Sequence, residues 1–123
     1  MADRAVPPDD ITPEEFFTRW APGRVADDPV RQQKLGDADH VLVFHLDDPA
    51  GEHGGAYTLR IEEGLVTGRV GDVPMADLRV HITLATWRAL NAGELSAPEA
   101  FMKKRVRLQG DLRLAVKLHL IIG

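Results

Sequence analysis

The sequence contains no cysteine. Disulfides, thiolate metal ligands and a cysteine nucleophile are therefore excluded. Serine occurs once, at Ser96, inside Ser96-Ala97-Pro98-Glu99, a capping-box pattern that commits its hydroxyl to starting a helix. That leaves serine catalysis without a free nucleophile. Long hydrophobic runs are also missing: Val41–Phe44 is among the longest, far short of the roughly 20 apolar residues that cross a bilayer. The opening Met1-Ala2-Asp3-Arg4 lacks the charged-then-apolar pattern of a signal peptide, so a cytoplasmic protein is expected. Aromatic residues are few, and none interleaves the basic cluster of residues 103–117. With a net charge of -4, this argues against nucleic acid as a partner.

What is present fits one domain of 123 residues. Residues 1–11 read as a proline-rich, acidic, flexible lead-in, and residues 12–123 as the folded unit. Charge is uneven: residues 1–75 hold 7 Lys/Arg and 15 Asp/Glu, and residues 76–123 hold 8 and 4. The basic surplus falls on Lys103, Lys104, Arg105, Arg107, Arg113 and Lys117. It suits a solvated face or weak contact with an anionic membrane.

Thr12-Pro13-Glu14-Glu15 is a second capping box, opening a helix with Phe16, Phe17 and Trp20 on its apolar side and Pro22-Gly23 at its end. Asp28-Pro29 starts another short helix that stops at Gly36. From Val41 the period becomes two. Val41–Leu46 is apolar on both faces, as in an inner strand. Tyr57, Leu59 and Ile61 alternate with Thr58, Arg60 and Glu62, as in a half-exposed one. Further strands are predicted at 65–70, 78–82 and 106–108. Helices are predicted through Leu84, Trp87 and Leu90 up to Gly93, and from Ser96. The outward residues Arg60, Arg79, His81, Arg105 and Arg107 predict one wet, basic sheet face. The other face is covered by helices in an α+β fold with a five-stranded, mainly antiparallel sheet.

The carboxylate pairs Asp9-Asp10, Asp27-Asp28 and Asp47-Asp48 each adjoin a proline and mark turns or helix starts rather than paired acid–base catalysis. Five histidines invite a metal reading, but His40 and His45 are five apart on a strand and point to opposite faces. No metal and no cofactor is expected. Gly68-Arg69-Val70-Gly71-Asp72 leaves a strand without opening a helix, and reads as a turn before it reads as a phosphate loop.

The closing stretch is the most informative. Gly110-Asp111 is a turn glycine with a capping carboxylate. At 100° per residue, Leu112, Leu114, Ala115, Val116, Leu118, Leu120, Ile121 and Ile122 leave only a narrow polar arc around Arg113 and Lys117. Such a helix needs a cover of protein, partner or ligand. His119 lies inside its apolar arc, as a histidine bonded to a backbone carbonyl or as a polar contact in a ligand cavity.

Ala100-Phe101-Met102, then Arg105-Val106-Arg107-Leu108-Gln109-Gly110-Asp111-Leu112 and Leu114-Ala115-Val116-Lys117-Leu118, resembles the sterol carrier protein 2 domain family. Lys104 stands where that family usually has glycine, and a lysine forced to positive φ there loses roughly 1 kcal/mol. His119 stands where the family often has glutamine. The order of elements matches from about Phe16 onward.

The resemblance implies a non-catalytic domain that binds or transfers a hydrophobic small molecule: a fatty acyl chain, a sterol-like or isoprenoid molecule, or a quinone. Its tunnel would lie between the helix-covered sheet face and the closing helix. Phe44, Leu59, Ile82, Trp87, Leu90, Phe101, Met102, Leu112, Val116 and His119 are the candidate ligand-binding residues, with core packing as their other role. The alternative is a structural or interaction module with a filled tunnel, serving a homodimer or an enzyme partner.

Overall fold

A computed structural model describes residues 10–49, 51 and 54–117. The chain runs α1 (Pro13–Glu15), a π turn (Phe16–Trp20), α2 (Ala21–Ala26), α3 (Pro29–Leu35) and three strands, β1 (His40–Asp47), β2 (Gly55–Glu62) and β3 (Leu65–Val70). Then come β4 (Leu78–Thr83), α4 (Leu84–Ala92), α5 (Ala97–Met102), β5 (Val106–Gly110) and a 3₁₀ segment, Leu112–Lys117.

Both capping boxes form. The Thr12 hydroxyl accepts from the Glu15 amide and the Ser96 hydroxyl from the Glu99 amide, each with the glutamate reaching back to the cap. Ser96 is thus occupied as its sequence pattern requires. Ile11, assigned to the flexible lead-in, is instead a core residue at 7% exposure, and its carbonyl accepts from Arg88. The position explains it: Ile11 precedes the cap and Phe16 stands four residues inside, and both join the core in the arrangement of a hydrophobic staple.

Pro22-Gly23 does not end the first helix. Proline cannot donate to the preceding turn, and the chain passes it by widening: the Ala21 amide bonds the Phe16 carbonyl five residues back, and an α-turn resumes with Pro22 in its first turn. This turn presents the Phe17 carbonyl to β3. A Cβ built on Gly68 would run into that oxygen and lie 2.8 Å from the carbonyl carbon. Gly68 is therefore a docking point of helix on sheet, neither a turn nor a phosphate loop.

The sheet order is β3-β2-β1-β4-β5. All pairs are antiparallel except β1 with β4, which run parallel, with Phe44 opposite Val80. Val41–Leu46 is apolar on both faces because β1 is the central strand. Leu42, Phe44 and Leu46 meet the helices, while Val43 faces the other way and is also fully buried. Its flanking partners Thr58 and Arg79 hold the connection after β3 over it: the Thr58 hydroxyl donates to the Gly71 carbonyl at 2.6 Å and Arg79 donates to the Val73 carbonyl at 2.6 Å. At the far end, the Asp77 carboxylate accepts from the Val41 amide at 2.7 Å and closes the crossover. No helix among the described residues is long and apolar enough to cross a membrane.

Candidate functional site

On the helix-covered face, four of the ten candidate residues come together. Phe44, Leu59, Ile82 and Trp87 belong to the buried core, with Leu90 packed partly buried against it. The π turn brings two rings into their centre. Phe17 lies 4.8 Å from Phe44, stacks on Tyr57 at 5.1 Å and on Trp87 at 6.2 Å. Phe16 meets Trp87 edge-on at 5.3 Å and stacks on Trp20 at 5.3 Å. Sequence had put Phe16 and Phe17 on the apolar side of a helix but not among the site residues. What singled out Phe17 was its place on a π turn, which no side-chain pattern encodes.

One polar atom stands out in this apolar cluster: Trp87 Nε1 is buried and has no hydrogen-bond partner among the described residues. Burying an indole N–H without an acceptor costs on the order of 1–3 kcal/mol, so such an atom calls for an explanation.

Three candidates are not in this cluster. Phe101 and Met102 are 57% and 82% exposed, because α5 is only six residues long and turns Ala100 inward. Leu112 is 57% exposed. Where the sequence pattern predicts an α-helix, the described part of the closing segment is 3₁₀, and Leu114 is its buried residue. A three-residue turn replaces the 3.6-residue one on which the wide apolar arc was drawn. The side chain of Val116, and His119 as a whole, lie outside the described residues.

The opposite sheet face carries an open cavity of about 590 Å³. Ala56, His45, His81 and Arg107 lie side by side across it, one from each of β2, β1, β4 and β5. The two imidazoles stack at 4.8 Å with planes 7° apart. His81 bonds the Gln109 side chain at 2.8 Å, and His45 Nε2 lies 3.4 Å from both Asp72 and Arg79. Burial holds the His45 imidazole below its ordinary value, and His81 and Arg79 push it the same way against the pull of Asp72. A hydrogen bond from Arg79 holds the Asp72 carboxyl below the usual range.

Lys104 and Arg105, from the turn into β5, form a wall of the cavity with Arg107. Lys104 has φ 58°, the left-handed conformation expected where the family pattern has glycine. The basic outer face predicted from alternation exists, but Arg79 is paired with Asp72, and Arg60 with Asp39 and Glu62. Among the described residues no group of three metal-ligating side chains comes together.

The profile of the SCP-2 sterol transfer family matches residues 21–122. The chain belongs to the SCP-2 sterol transfer family. Its fold agrees with this family's solved structures. A crystal structure of sterol carrier protein 2 superposes with a TM-score of 0.65 at 22% identity, covering 85% of this chain and 89% of that one. Palmitated sterol carrier protein 2 like 2 from Aedes aegypti gives a TM-score of 0.61 at 17% identity, over 81% and 91%.

The stereoselective inverting sec-alkylsulfatase Pisa1 from Pseudomonas sp. gives a TM-score of 0.71 at 25% identity. The match covers 92% of this chain but only 16% of that enzyme, so the SCP-2 fold is one part of a larger protein there. No curated protein matches the chain. Membership carries the coarse function, binding of hydrophobic lipids.

Proposed function

We propose that this SCP-2 domain is a non-catalytic binding or transfer module for a hydrophobic small molecule, held in the cytoplasm between the helices and the sheet. The observation that carries the reading is Trp87. Among the described residues its buried N–H has no acceptor inside an otherwise apolar cluster. A ligand oxygen, such as a fatty acid carboxylate, a sterol hydroxyl or a quinone carbonyl, supplies one while the tail lies among the rings. The palmitated Aedes aegypti relative supports an acyl chain as first choice.

The described face is closely filled by Phe16, Phe17, Phe44, Tyr57 and Trp87, so entry requires these rings to part. Leu112, Val116 and His119 belong to the proposed wall on the side of the closing segment. The run Lys103, Lys104, Arg105 and Arg107 gives weak contact with an anionic donor membrane, at about 1 kcal/mol per engaged residue.

A second reading draws on that same filling. With its rings interlocked and Phe101, Met102 and Leu112 exposed, the domain serves as an interaction module, in a homodimer or beside an enzyme. Ligand titration separates the two. Trp20 and Trp87 are the only tryptophans, so the Trp20→Phe variant reports Trp87 alone. Palmitate, cholesterol and a ubiquinone analogue are titrated while emission is followed. Trp87→Phe keeps an aromatic ring in the cluster but removes the indole N–H, and its ligand affinity is read from the melting temperature. Under the first reading one ligand changes Trp87 emission, raises the melting temperature and loses affinity in Trp87→Phe. If none does so, and the protein sediments as a dimer that Phe101→Glu dissociates, the interaction module replaces it.

A further inference from the structure

We infer that the open groove on the outer sheet face is a binding site for a tetrahedral oxyanion, the dianionic head of a phosphate monoester, held by Lys104, Arg105 and Arg107 above the His45–His81 pair. The site lies on the side of the sheet away from the aromatic cluster, so it does not rest on the hydrophobic-ligand reading.

Charge is the first support. Several cations of this protein have built-in counter-charges: Arg79 pairs with Asp72, Arg60 with Asp39 and Glu62, and Arg113 with Asp111. Lys104, Arg105 and Arg107 line one wall of the groove with no side-chain hydrogen bond or ion pair among the described residues. Against them stands one lining carboxylate, Asp47. Three unpaired cations converging on a concave surface concentrate an anion more strongly than the same charges spread over a convex one. Guanidinium donors match the paired oxygens of a phosphoryl or sulfuryl group.

Shape and backbone add to this. In the row Ala56, His45, His81, Arg107 the residue from β2 is small, and Gly55 beside it has no side chain, so the floor stays open next to the imidazoles. Lys104 occupies a left-handed position that glycine fills without cost, and its charged side chain lines the cavity. Strain of this kind persists where a site needs the residue that bears it.

His45 makes the site sensitive to pH. His45 faces Asp72 from the crossover connection, Arg79 and His81 from β4, and Ala56 from β2; His81 faces His45 on one side and Gln109 and Arg107 of β5 on the other. Burial, the stacked His81 and Arg79 all disfavour the charged form of His45, and Asp72, its carboxylate contact, is already paired to Arg79. A bound dianion supplies the missing counter-charge. Binding therefore takes up a proton and strengthens as pH falls.

Inorganic sulfate is the direct probe, because it keeps both charges from pH 5.5 to 7.5. It is titrated at constant ionic strength, with chloride as the balancing ion, while amide and histidine-ring resonances are followed by NMR. Saturable shifts are expected at Lys104–Arg107, His45 and His81, with severalfold tighter binding at pH 5.5. The double variant Lys104→Gly, Arg107→Gln should bind at least tenfold more weakly while melting no lower than about the wild type.

A second arm uses vesicles of phosphatidic acid in phosphatidylcholine against phosphatidylcholine alone. Saturable sulfate binding assigns the site to free or soluble esters. Groove resonances that broaden only with phosphatidic acid assign it to a lipid headgroup. The inference is overturned if neither arm gives a groove-centred response, or if the double variant responds like the wild type.

Discussion

Replacing Gly68 by alanine tests how the helical layer is seated on the sheet. The added methyl would penetrate the Phe17 carbonyl oxygen, sit 2.8 Å from the carbonyl carbon and touch Leu59 Cδ2 at 3.0 Å. None of these is the free end of a flexible side chain except the leucine methyl. The oxygen belongs to the π turn, which is pinned by the packing of Phe16 and Phe17, and Gly68 is held opposite Leu59 in the β2–β3 ladder. Relief requires moving helix backbone away from strand backbone, which spoils the contacts of Phe17 with Phe44 and Tyr57.

Overpacking costs about 1–3 kcal/mol where side chains can shift, and a backbone obstacle puts this case at about 3 kcal/mol or above. Alanine in a strand regains less than about 1 kcal/mol of unfolded-chain entropy. A net loss of about 2–3 kcal/mol should lower the melting temperature by roughly 10 °C in a domain of this size. Gly23 is the internal control, because it lies in α2 with nothing within 4 Å of an added Cβ. Gly23→Ala should raise stability by about 0.5–1 kcal/mol. Thermal melts of both variants decide the matter. If Gly68→Ala melts within 2 °C or so of the wild type, the close approach of Phe17 to β3 is wrong.

Lys104→Gly removes a left-handed lysine and should stabilise by about 1 kcal/mol, and a melt unchanged or lowered would place the turn in another conformation. Ile11→Ala removes one half of the staple with Phe16 and should cost at least about 2 kcal/mol by urea denaturation, whereas a silent change would return residue 11 to the lead-in. His45 is held below its ordinary value of about 6.5, so the unfolded chain binds the extra proton first. In sulfate- and phosphate-free buffer, stability should fall as pH drops through about 6.5, and less so in His45→Gln. Wild type and variant melting in parallel from pH 7.5 to 5.5 would remove His45 as the cause. The lowered Asp72 carboxyl adds stability present above about pH 3.9 and lost as pH falls through its folded value; Asp72→Asn should flatten that acid limb of the melting curve.

Much of the fold is legible in the sequence because short-range chemistry decides it. Thr12 and Ser96 announce their helices through hydroxyls three residues from a glutamate, and β1 announces its central place by being apolar at both parities. Lys104 could be assigned a left-handed backbone because the residues around it match a family pattern with glycine there. The misses share a different origin. The passage through Pro22, the burial of Ile11 and the covering of Val43 by the connection after β3 depend on which backbone meets which, and no local period records that.

The exposure of Phe101 and Met102 follows from α5 being too short to bury more than Ala100, and end points are the least constrained part of a helix pattern. The cavity was missed because its lining comes from four strands and a turn. Only the register that sets Ala56, His45, His81 and Arg107 in one row brings them together.

The parallel pairing of β1 with β4 also bears on how the chain reaches this state. β1, β2 and β3 are joined by hairpins and close over short loops, whereas Val41 meets Asp77 across 36 positions and β4 docks only after the crossover is ordered. Loop-closure entropy makes that step the slow one. Until it is taken, β1 has one edge hydrogen-bonded to β2 and the other bare, along a strand apolar on both faces. Such an edge is a template for adding a strand from another molecule. A chain interrupted before Leu78, by truncation or during synthesis, therefore leaves this edge open to self-association, and in the finished fold β4 is what blocks it.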